Sequence, residues 1–428
     1  MLKILVPIHI MPQVKSVTTL FFENLLPVLK KRTDVHMIWL VYQPEKLNLS
    51  QMKNSDMTIL DIHDYKNAIE ILRKEKPDII YASPYWNLID YALSSAGKFL
   101  SIPIVSGFYN DVSFKRSQAK AIKSHVTRFF ESSVPTDTTT SQKKLMRRGR
   151  FFIYKYLFLL RTQFAIKMNI LKIIRNFFTI LKLTLSDASY DSRFANTLHW
   201  LEGENLITLL VKAGFERSSL VVTGNPMYDP VFQKLHTSQI SIKTDHKIRV
   251  LLVTTALYEH GYWTKNQRDM IIKEIVRKIH LHKNEISLIV KIHPSSEILE
   301  DYQSLINEID SSIPIFKEGD IMEFIENSDV VISFPSSSAL LYALLAKKPI
   351  IECNFFNLGI DILVEKGLTM ECTNASDVVT LINQVLSRNP ASAEKVGDFV
   401  KDFLYKPDGH AAERICDEII NLLEKKHI

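Results

Sequence analysis

Two short motifs in the second half of the chain carry residue types suited to holding a phosphate. The first is Val290-Lys291-Ile292-His293-Pro294, an apolar run that ends in an imidazole and a turn residue. The second runs from Asp329 to Glu352, D-V-V-I-S-F-P-S-S-S-A-L-L-Y-A-L-L-A-K-K-P-I-I-E. It reads as strand, tight turn, helix and strand. Val330 to Ser333 is a short apolar run between turn residues, the pattern of a buried parallel strand. Pro335 breaks it, and Ser336, Ser337 and Ser338 stand where a helix begins. A helix N-terminus carries unpaired N–H groups and a partial positive charge, so it can hold an anion. Serine hydroxyls add donors there without bulk. An imidazole can donate to a phosphate or, protonated, stabilise one that departs. Alone, a serine turn is as readily an ordinary helix cap, and a His-Pro pair a surface turn. Their combination is what points to a phosphate ligand.

These motifs need a sheet to bring them to one edge. In the second half, strands are expected at Ile248 to Val253, Ile286 to Ile292, Ile313 to Phe316 and Val330 to Ser333, with a further strand launched at Pro349. Helices are expected at Lys265 to His282, Ser304 to Ile309, Ile321 to Asn327, Ala339 to Ala346 and Asp377 to Ser387. The first half has the same alternation. Strands are expected at Lys3 to Ile8, Val35 to Tyr42, Pro77 to Tyr81 and Ile102 to Gly107, and helices at Thr18 to Lys31, Tyr65 to Glu75 and Asn87 to Phe99. Alternating strands and helices imply right-handed crossovers and parallel sheets, with ligands beyond the strand C-terminal ends. Each half therefore reads as Rossmann-like, although no Gly-x-Gly-x-x-Gly is present. Residues 231 to 247 are polar and read as the linker between halves. The expected division is a domain over 1–235, a second over 248–405 and a last helix within 406–428 that could cross between them.

Composition narrows the class. The chain has 428 residues, 46% hydrophobic and 23% charged, which suits a globular protein with full cores. Cys353, Cys372 and Cys416 are too far apart for a disulfide framework or a zinc pattern, as in a reducing compartment. The N-terminus does not read as a signal peptide, and no uncharged apolar run reaches the roughly 18 residues of a membrane span. The net charge of +6 is unevenly placed. Residues 112–186 hold 16 Lys and Arg against 2 Asp and Glu, a local +14, so the rest of the chain is net −8. That balance argues against general nucleic-acid binding and for one local basic surface.

Within this segment, Arg161 to Lys182 reads as one helix. At about 100° per residue, Arg161, Lys167, Lys172, Arg175 and Lys182 fall within one arc of about 140°. Ile166, Ile170, Ile173, Ile174, Phe177 and Leu181 fall on the other side. An apolar face flanked by cations suits the headgroup region of an anionic bilayer. The same pattern serves a helix packed inside the protein, or one bound in a partner's groove.

Four pieces of sequence carry a family likeness: V-V-T-G-N-P-M-Y-D, V-K-I-H-P, the serine turn with A-L-L-A-K-K-P-I-I, and K-P-D-G-H-A-A-E-R-I. The chain resembles the GT-B superfamily of glycosyltransferases and sugar-nucleotide epimerases. The pairing of His-Pro with a serine turn is similar to polysialyltransferases, capsule Kdo transferases and the glycerol phosphotransferases of teichoic acid synthesis. The likeness is firm from about Trp200 onward and weaker before it.

The resemblance implies an α/β GT-B fold, two Rossmann-like domains with parallel sheets facing a central cleft. It implies a CMP- or CDP-linked donor, or a UDP-linked one, and no separate cofactor. His293, Pro294, Ser336, Ser337 and Ser338 would meet the donor phosphates, with Thr254 and Thr255 at the donor site. The acceptor, a surface glycan or a lipid-linked molecule, needs a base. In the relatives it is an acidic residue of the first half, so Asp111 is the first candidate. Glu259 and His260 are the second, and could instead line the donor site. No Asp-x-Asp is present, as in metal-independent members.

Two departures stand out. Tyr342 stands near the place of a glutamate that holds the donor ribose in many members. The His-Arg-Arg-Glu-Asn loop and paired glutamates of non-hydrolysing 2-epimerases are absent. The expected function is transfer of a sugar, or a polyol phosphate, to an acceptor at the inner face of the cytoplasmic membrane. A sugar-nucleotide 2-epimerase and a non-catalytic, membrane-associated assembly partner are the alternatives. Oligomeric state is left open.

Overall fold

A computed structural model of the chain describes residues 1–8, 16–42, 56–82, 88–108, 153–185, 192, 195–237, 247–259, 262–294, 297–335, 337–356, 358–359 and 361–426. It separates into two compact units. One holds strands β1 (Leu2–Ile8), β2 (Val35–Val41), β3 (Met57–Asp61), β4 (Ile79–Tyr81), β5 (Ile104–Phe108), β6 (Leu198–Leu201) and β7 (Leu220–Val222), together with the C-terminal segment from Lys401. The other holds β8 (Ile248–Val253), β9 (Ile286–Lys291), β10 (Ile315–Phe316), β11 (Val330–Ser333), β12 (Ile350–Cys353) and β13 (Met370–Cys372).

The described strand pairs are parallel, and the sheets share a topology. Their orders are β3-β2-β1-β4-β5-β6-β7 and β10-β9-β8-β11-β12-β13. In each, the first strand is central, and the chain winds outward to one side and then to the other. The reversal lies between β1 and β4, and between β8 and β11. Loops diverge at such a switch point and leave room for a ligand.

One device recurs at both switch points. Asp78, just before β4, accepts the N–H of Lys3 at 2.8 Å, and its own N–H reaches the Lys3 carbonyl at 2.9 Å. Asp329, just before β11, accepts the N–H of Arg249 at 2.8 Å and returns a 2.8 Å bond to the Arg249 carbonyl. The Arg249 guanidinium also grips Asp329, with Nε at 3.0 Å. Burial works against the Asp329 charge, but these bonds hold its carboxyl below the usual range. Each aspartate fixes strand register at the reversal, where strands buried on both faces have little alternation of their own to set it.

The second core packs Ile272, Ile275 and Val276 of the helix Lys265–His280 against Val250, Leu252, Val290 and Ile332. That helix starts on Thr264 and Gln267, which cap each other's main-chain N–H groups. The first core joins Phe21, Phe22 and Leu25 to Ile415, Cys416 and Ile419 of the helix Ala411–Lys426. The last helix thus packs on the first unit. Asp229 caps it from a distance, accepting N–H bonds from Ala411 at 3.0 Å and Ala412 at 2.8 Å. Arg414 Nε donates to the Thr223 carbonyl at 2.7 Å. Gly224, at φ +79°, allows this approach, since a Cβ there would lie 3.3 Å from that of Ala411. The T-G-N-P-M-Y-D and D-G-H-A-A-E-R motifs are two sides of one latch.

Several expectations need correction. Residues 231–237 are not linker but part of a helix, Asp229–Thr237, with Val231 and Phe232 buried. The single helix over 161–182 is two. The first covers 153–165 and ends with Lys167 at φ +55°. Lys167 N–H bonds the Phe164 carbonyl at 2.9 Å and Met168 N–H the Gln163 carbonyl at 3.0 Å, a Schellman stop. Asn169 then caps the second helix, Ile170–Leu185, by accepting the Leu171 N–H at 2.8 Å. Its Ile173 and Ile180 are buried, whereas Ile170, Leu171, Ile174, Phe177 and Phe178 are exposed. On the first helix, Phe158 and Leu159 are buried, and Ile153, Leu157 and Phe164 are exposed. Phe177 meets Tyr156 edge-on at 5.5 Å, so the two helices pack as a pair. The segment is therefore anchored on one face and apolar to solvent on the other. Among the described residues, no helix is long and apolar enough to cross a membrane.

Replacing Asp229 with Ala leaves two helix-end N–H groups buried without an acceptor. It should destabilise the first unit by about 2 kcal/mol, and Asp229→Asn by less, read from thermal or urea unfolding. On β12, burial and the charges of Asp361 and Glu371 push the Glu352 carboxyl up to about 9. Its folded pKa lies above the unfolded one, so its contribution is intact below the unfolded value, near 4.5, and is lost as pH rises toward 9. Glu352→Gln should thus match wild type at pH 4 and exceed it in melting temperature by a margin that grows from pH 5 to pH 9. A constant margin would contradict this.

Candidate phosphate site at the edge of the second sheet

The sheet order β9-β8-β11 sets three loops side by side at the C-terminal edge. Neighbouring strands lie about 4.8 Å apart, so the three loop starts span about 10 Å, the scale of a diphosphate and its substituents. Thr254 follows β8, His293 and Pro294 follow β9, and the serine turn follows β11. The edge is closed by short bonds. Thr254 N–H reaches the Lys291 carbonyl at 3.0 Å, and Ser333 Oγ donates to the Val253 carbonyl at 2.9 Å. Trp263 packs edge-on against Phe334 at 5.2 Å and supports the start of the turn.

Ser337 is the N-cap of the helix Ser338–Leu345, with extended φ and ψ of −80° and 123°. Its hydroxyl makes no capping bond to the first turn. The helix holds Ala339, Leu340, Leu341, Ala343 and Leu344 in the core, which fixes its N-terminus at the sheet edge. Ser338 is exposed there. Ser336 lies outside the described residues, as do His260, Asp111 and the basic stretch 112–152.

His293 is half-buried and Pro294 exposed. The His293 main-chain N–H donates to Glu297 Oε2 at 2.6 Å. The same oxygen accepts the Thr254 hydroxyl, and Oε1 accepts the Tyr302 hydroxyl. Glu297 is buried. Burial raises its pKa, opposed by its three donors and the Arg268 charge. Arg268, also buried, bonds Asp269 at 2.8 Å and Asp301 at 3.3 Å and lies 3.6 Å from Glu259 Oε1. Its guanidinium stacks 5.0 Å over Tyr258 and 5.3 Å over Tyr302. Burial also raises the Glu259 pKa, with the Glu297 charge adding to it. Lys291 Nζ, held below the usual lysine range by burial, bonds the Lys317 carbonyl at 2.6 Å.

Thr254 and the His293 main chain thus share the Glu297 carboxylate, Glu259 lies beside Arg268 next to it, and Ser337 and Ser338 stand on the next loop but one from His293. Thr255 is half-buried beside Thr254. Arg161, Lys167, Lys172, Arg175 and Phe177 lie in the other unit, on the exposed helix pair, where the Lys182 side chain is outside the described residues. Tyr302 and Arg268 belong to no motif that marks them in the sequence. Glu297 sits four residues past His293 in an H-P-S-S-E run, and an acid so close to the motif was the one visible sign. Among the described residues, no cluster of three or more His, Cys, Asp or Glu is placed to hold a metal ion.

Solved structures share this fold over nearly the whole chain. A putative UDP-N-acetylglucosamine 2-epimerase from Listeria monocytogenes matches with a TM-score of 0.54 at 14% identity, covering 99% of this chain and 97% of its own. The UDP-GlcNAc 2-epimerase from Neisseria meningitidis, bound to UDP-GlcNAc, gives 0.51 at 13% identity, covering 98% of this chain and 100% of its own. The glycotransferase of kitacinnamycin gives 0.50 at 10% identity, covering 98% of each chain. At these identities the likeness is one of fold, and the fold is GT-B. No curated protein matches in sequence. The model of one family, CDP-Glycerol:Poly(glycerophosphate) glycerophosphotransferase, matches residues 204–421, a span that holds His293, the serine turn and the whole second sheet. By that match, this chain belongs to the CDP-glycerol:poly(glycerophosphate) glycerophosphotransferase family.

Proposed function

We propose that the chain transfers a polyol phosphate, glycerol phosphate first among them, from a CDP-linked donor to a hydroxyl of a surface-polymer or lipid-linked acceptor. The family match over residues 204–421 carries this reading. The phosphate-binding features of the second sheet lie inside that span. A relative in fold bound to UDP-GlcNAc supports a nucleotide-linked ligand on this fold. A sugar in place of the polyol phosphate is the neighbouring possibility that the fold also accommodates.

In this reaction the acceptor oxygen attacks the phosphorus of the polyol phosphate. Its proton passes to a carboxylate, the new O–P bond forms, and the P–O bond to CMP breaks with its electron pair leaving on CMP. His293 and the N-terminus of the helix Ser338–Leu345 face the charge that gathers on the departing phosphate. Ser337, its hydroxyl unused by its own helix, and Ser338 donate to the same oxygens. Thr254 and Thr255 line the donor from the next strand. Asp111 is the proposed acceptor base, with Glu259 and His260 as the second choice. The raised Glu259 pKa suits a base, but its ion pair with Arg268 holds it back from the role.

We also place the chain on a membrane surface, on the inner face of the cytoplasmic membrane, through the helix pair 153–185. Its outward face sets Ile170, Leu171, Ile174, Phe177 and Phe178 beside Lys172 and Arg175. Apolar side chains would enter the headgroup boundary, and each cation would add roughly 1 kcal/mol at an anionic surface.

Thermal shifts with CMP, CDP, UDP, GDP and dTDP test the donor. CMP and CDP should raise the melting midpoint, and His293→Ala or Ser337→Ala should weaken CDP at least about tenfold while leaving the ligand-free midpoint near wild type. Stabilisation by UDP alone would contradict the CDP reading. Sedimentation with vesicles tests the surface. Phosphatidylglycerol vesicles should retain the protein and phosphatidylcholine vesicles should not, and Phe178→Asp or Lys172→Glu with Arg175→Glu should release it. Equal retention by both vesicle types, or by the variants, would contradict it.

A further inference from the structure

We propose that Glu297 is a positioning residue that sets His293 and Thr254 in a single frame for the donor phosphate. The proposal rests on the donor-site reading above and adds a residue to it. Glu297 lies between β9 and the helix Leu299–Asn307. Its carboxylate gathers donors from three places: the main chain of His293 at the end of β9, the hydroxyl of Thr254 at the end of β8, and the hydroxyl of Tyr302 on the following helix. One oxygen, Oε2, is shared by His293 and Thr254, so the two strand ends cannot shift independently.

That arrangement has a direct consequence for binding. A carboxylate held by three donors is rigid, and the loops it joins are those that face the serine turn across β8. Displacement of a binding group by about 1 Å is enough to lose a large part of its contribution. Glu297 does not reach the ligand by this account. It acts through His293, and the nearby Arg268 charge offsets part of the burial cost of its carboxylate. A purely structural glutamate would affect stability and all ligands alike. A positioning glutamate affects the phosphate-dependent part of binding.

The test compares CMP with cytidine by calorimetry on the full chain, in wild type, His293→Ala, Glu297→Ala, Glu297→Asp and Glu297→Gln. Asp keeps the charge but shortens the reach, so it remains informative should Ala fail to fold. Asp and Ala should weaken CMP about tenfold and leave cytidine within about twofold. Gln should stay within about threefold of wild type, because its amide oxygen still accepts from His293 and Thr254 while its N–H turns to the Tyr302 oxygen. Unchanged CMP affinity in folded Glu297→Asp, alongside a loss in His293→Ala, would overturn the positioning role alone. Equal losses for CMP and cytidine would do the same. A wild type that binds CMP no better than cytidine, or a His293→Ala that keeps full CMP affinity, would overturn the donor site and the proposal with it.

Discussion

The aspartate ahead of the fourth strand in each unit is the constraint on which the rest depends. Asp78 and Asp329 each bond main-chain groups of the first strand, and so set its register where the winding reverses. Parallel strands buried on both faces have little alternation to specify their register, because both neighbours of any apolar residue are also apolar. A polar lock supplies what the hydrophobic pattern lacks. It also fixes which residues reach the C-terminal edge. With Val250 opposite Val330, Val253 lies opposite Ser333, and Thr254 and the serine turn emerge side by side.

The candidate phosphate site on that edge is framed by a second polar system. Glu297 and Arg268 are buried, and buried charges persist only when paired and hydrogen-bonded. Their network ties the loops after β8 and β9, while the helix Ser338–Leu345 is held by its apolar face. The candidate phosphate ligands are thus supported on one side by hydrogen bonds and on the other by packing. Preorganised donors of this kind suit phosphoryl transfer, in which positioning and electrostatics do most of the work.

Much of this was legible in the sequence because its signals are local. The expected bounds of Val330 to Ser333 are the observed ones, since turn residues flank an apolar run. The GT-B fold was legible from strand and helix alternation together with four motifs. What stayed hidden was set by tertiary contacts. Strands β3 and β13 are short and lie away from the centre of their sheets, so they carry weak patterns. The helix Ala393–Phe403 follows a Pro-Ala-Ser stretch that reads as loop. The break at 166–169 escaped because a lysine, not a glycine, takes the left-handed position, although Asn169 marked the next cap. Long-range partners are the hardest to see. Asp229 caps a helix that begins at Ala411, and no pattern in either segment names the other.

The most direct measurement of the central claim is turnover of CDP-glycerol labelled in its glycerol, with the full chain and vesicles that carry a lipid-linked hydroxyl acceptor. The account predicts that label moves to the lipid fraction in step with CMP release, and that neither occurs without acceptor. CDP-glycerol left intact, while a UDP-linked sugar is consumed or epimerised under the same conditions, would contradict it.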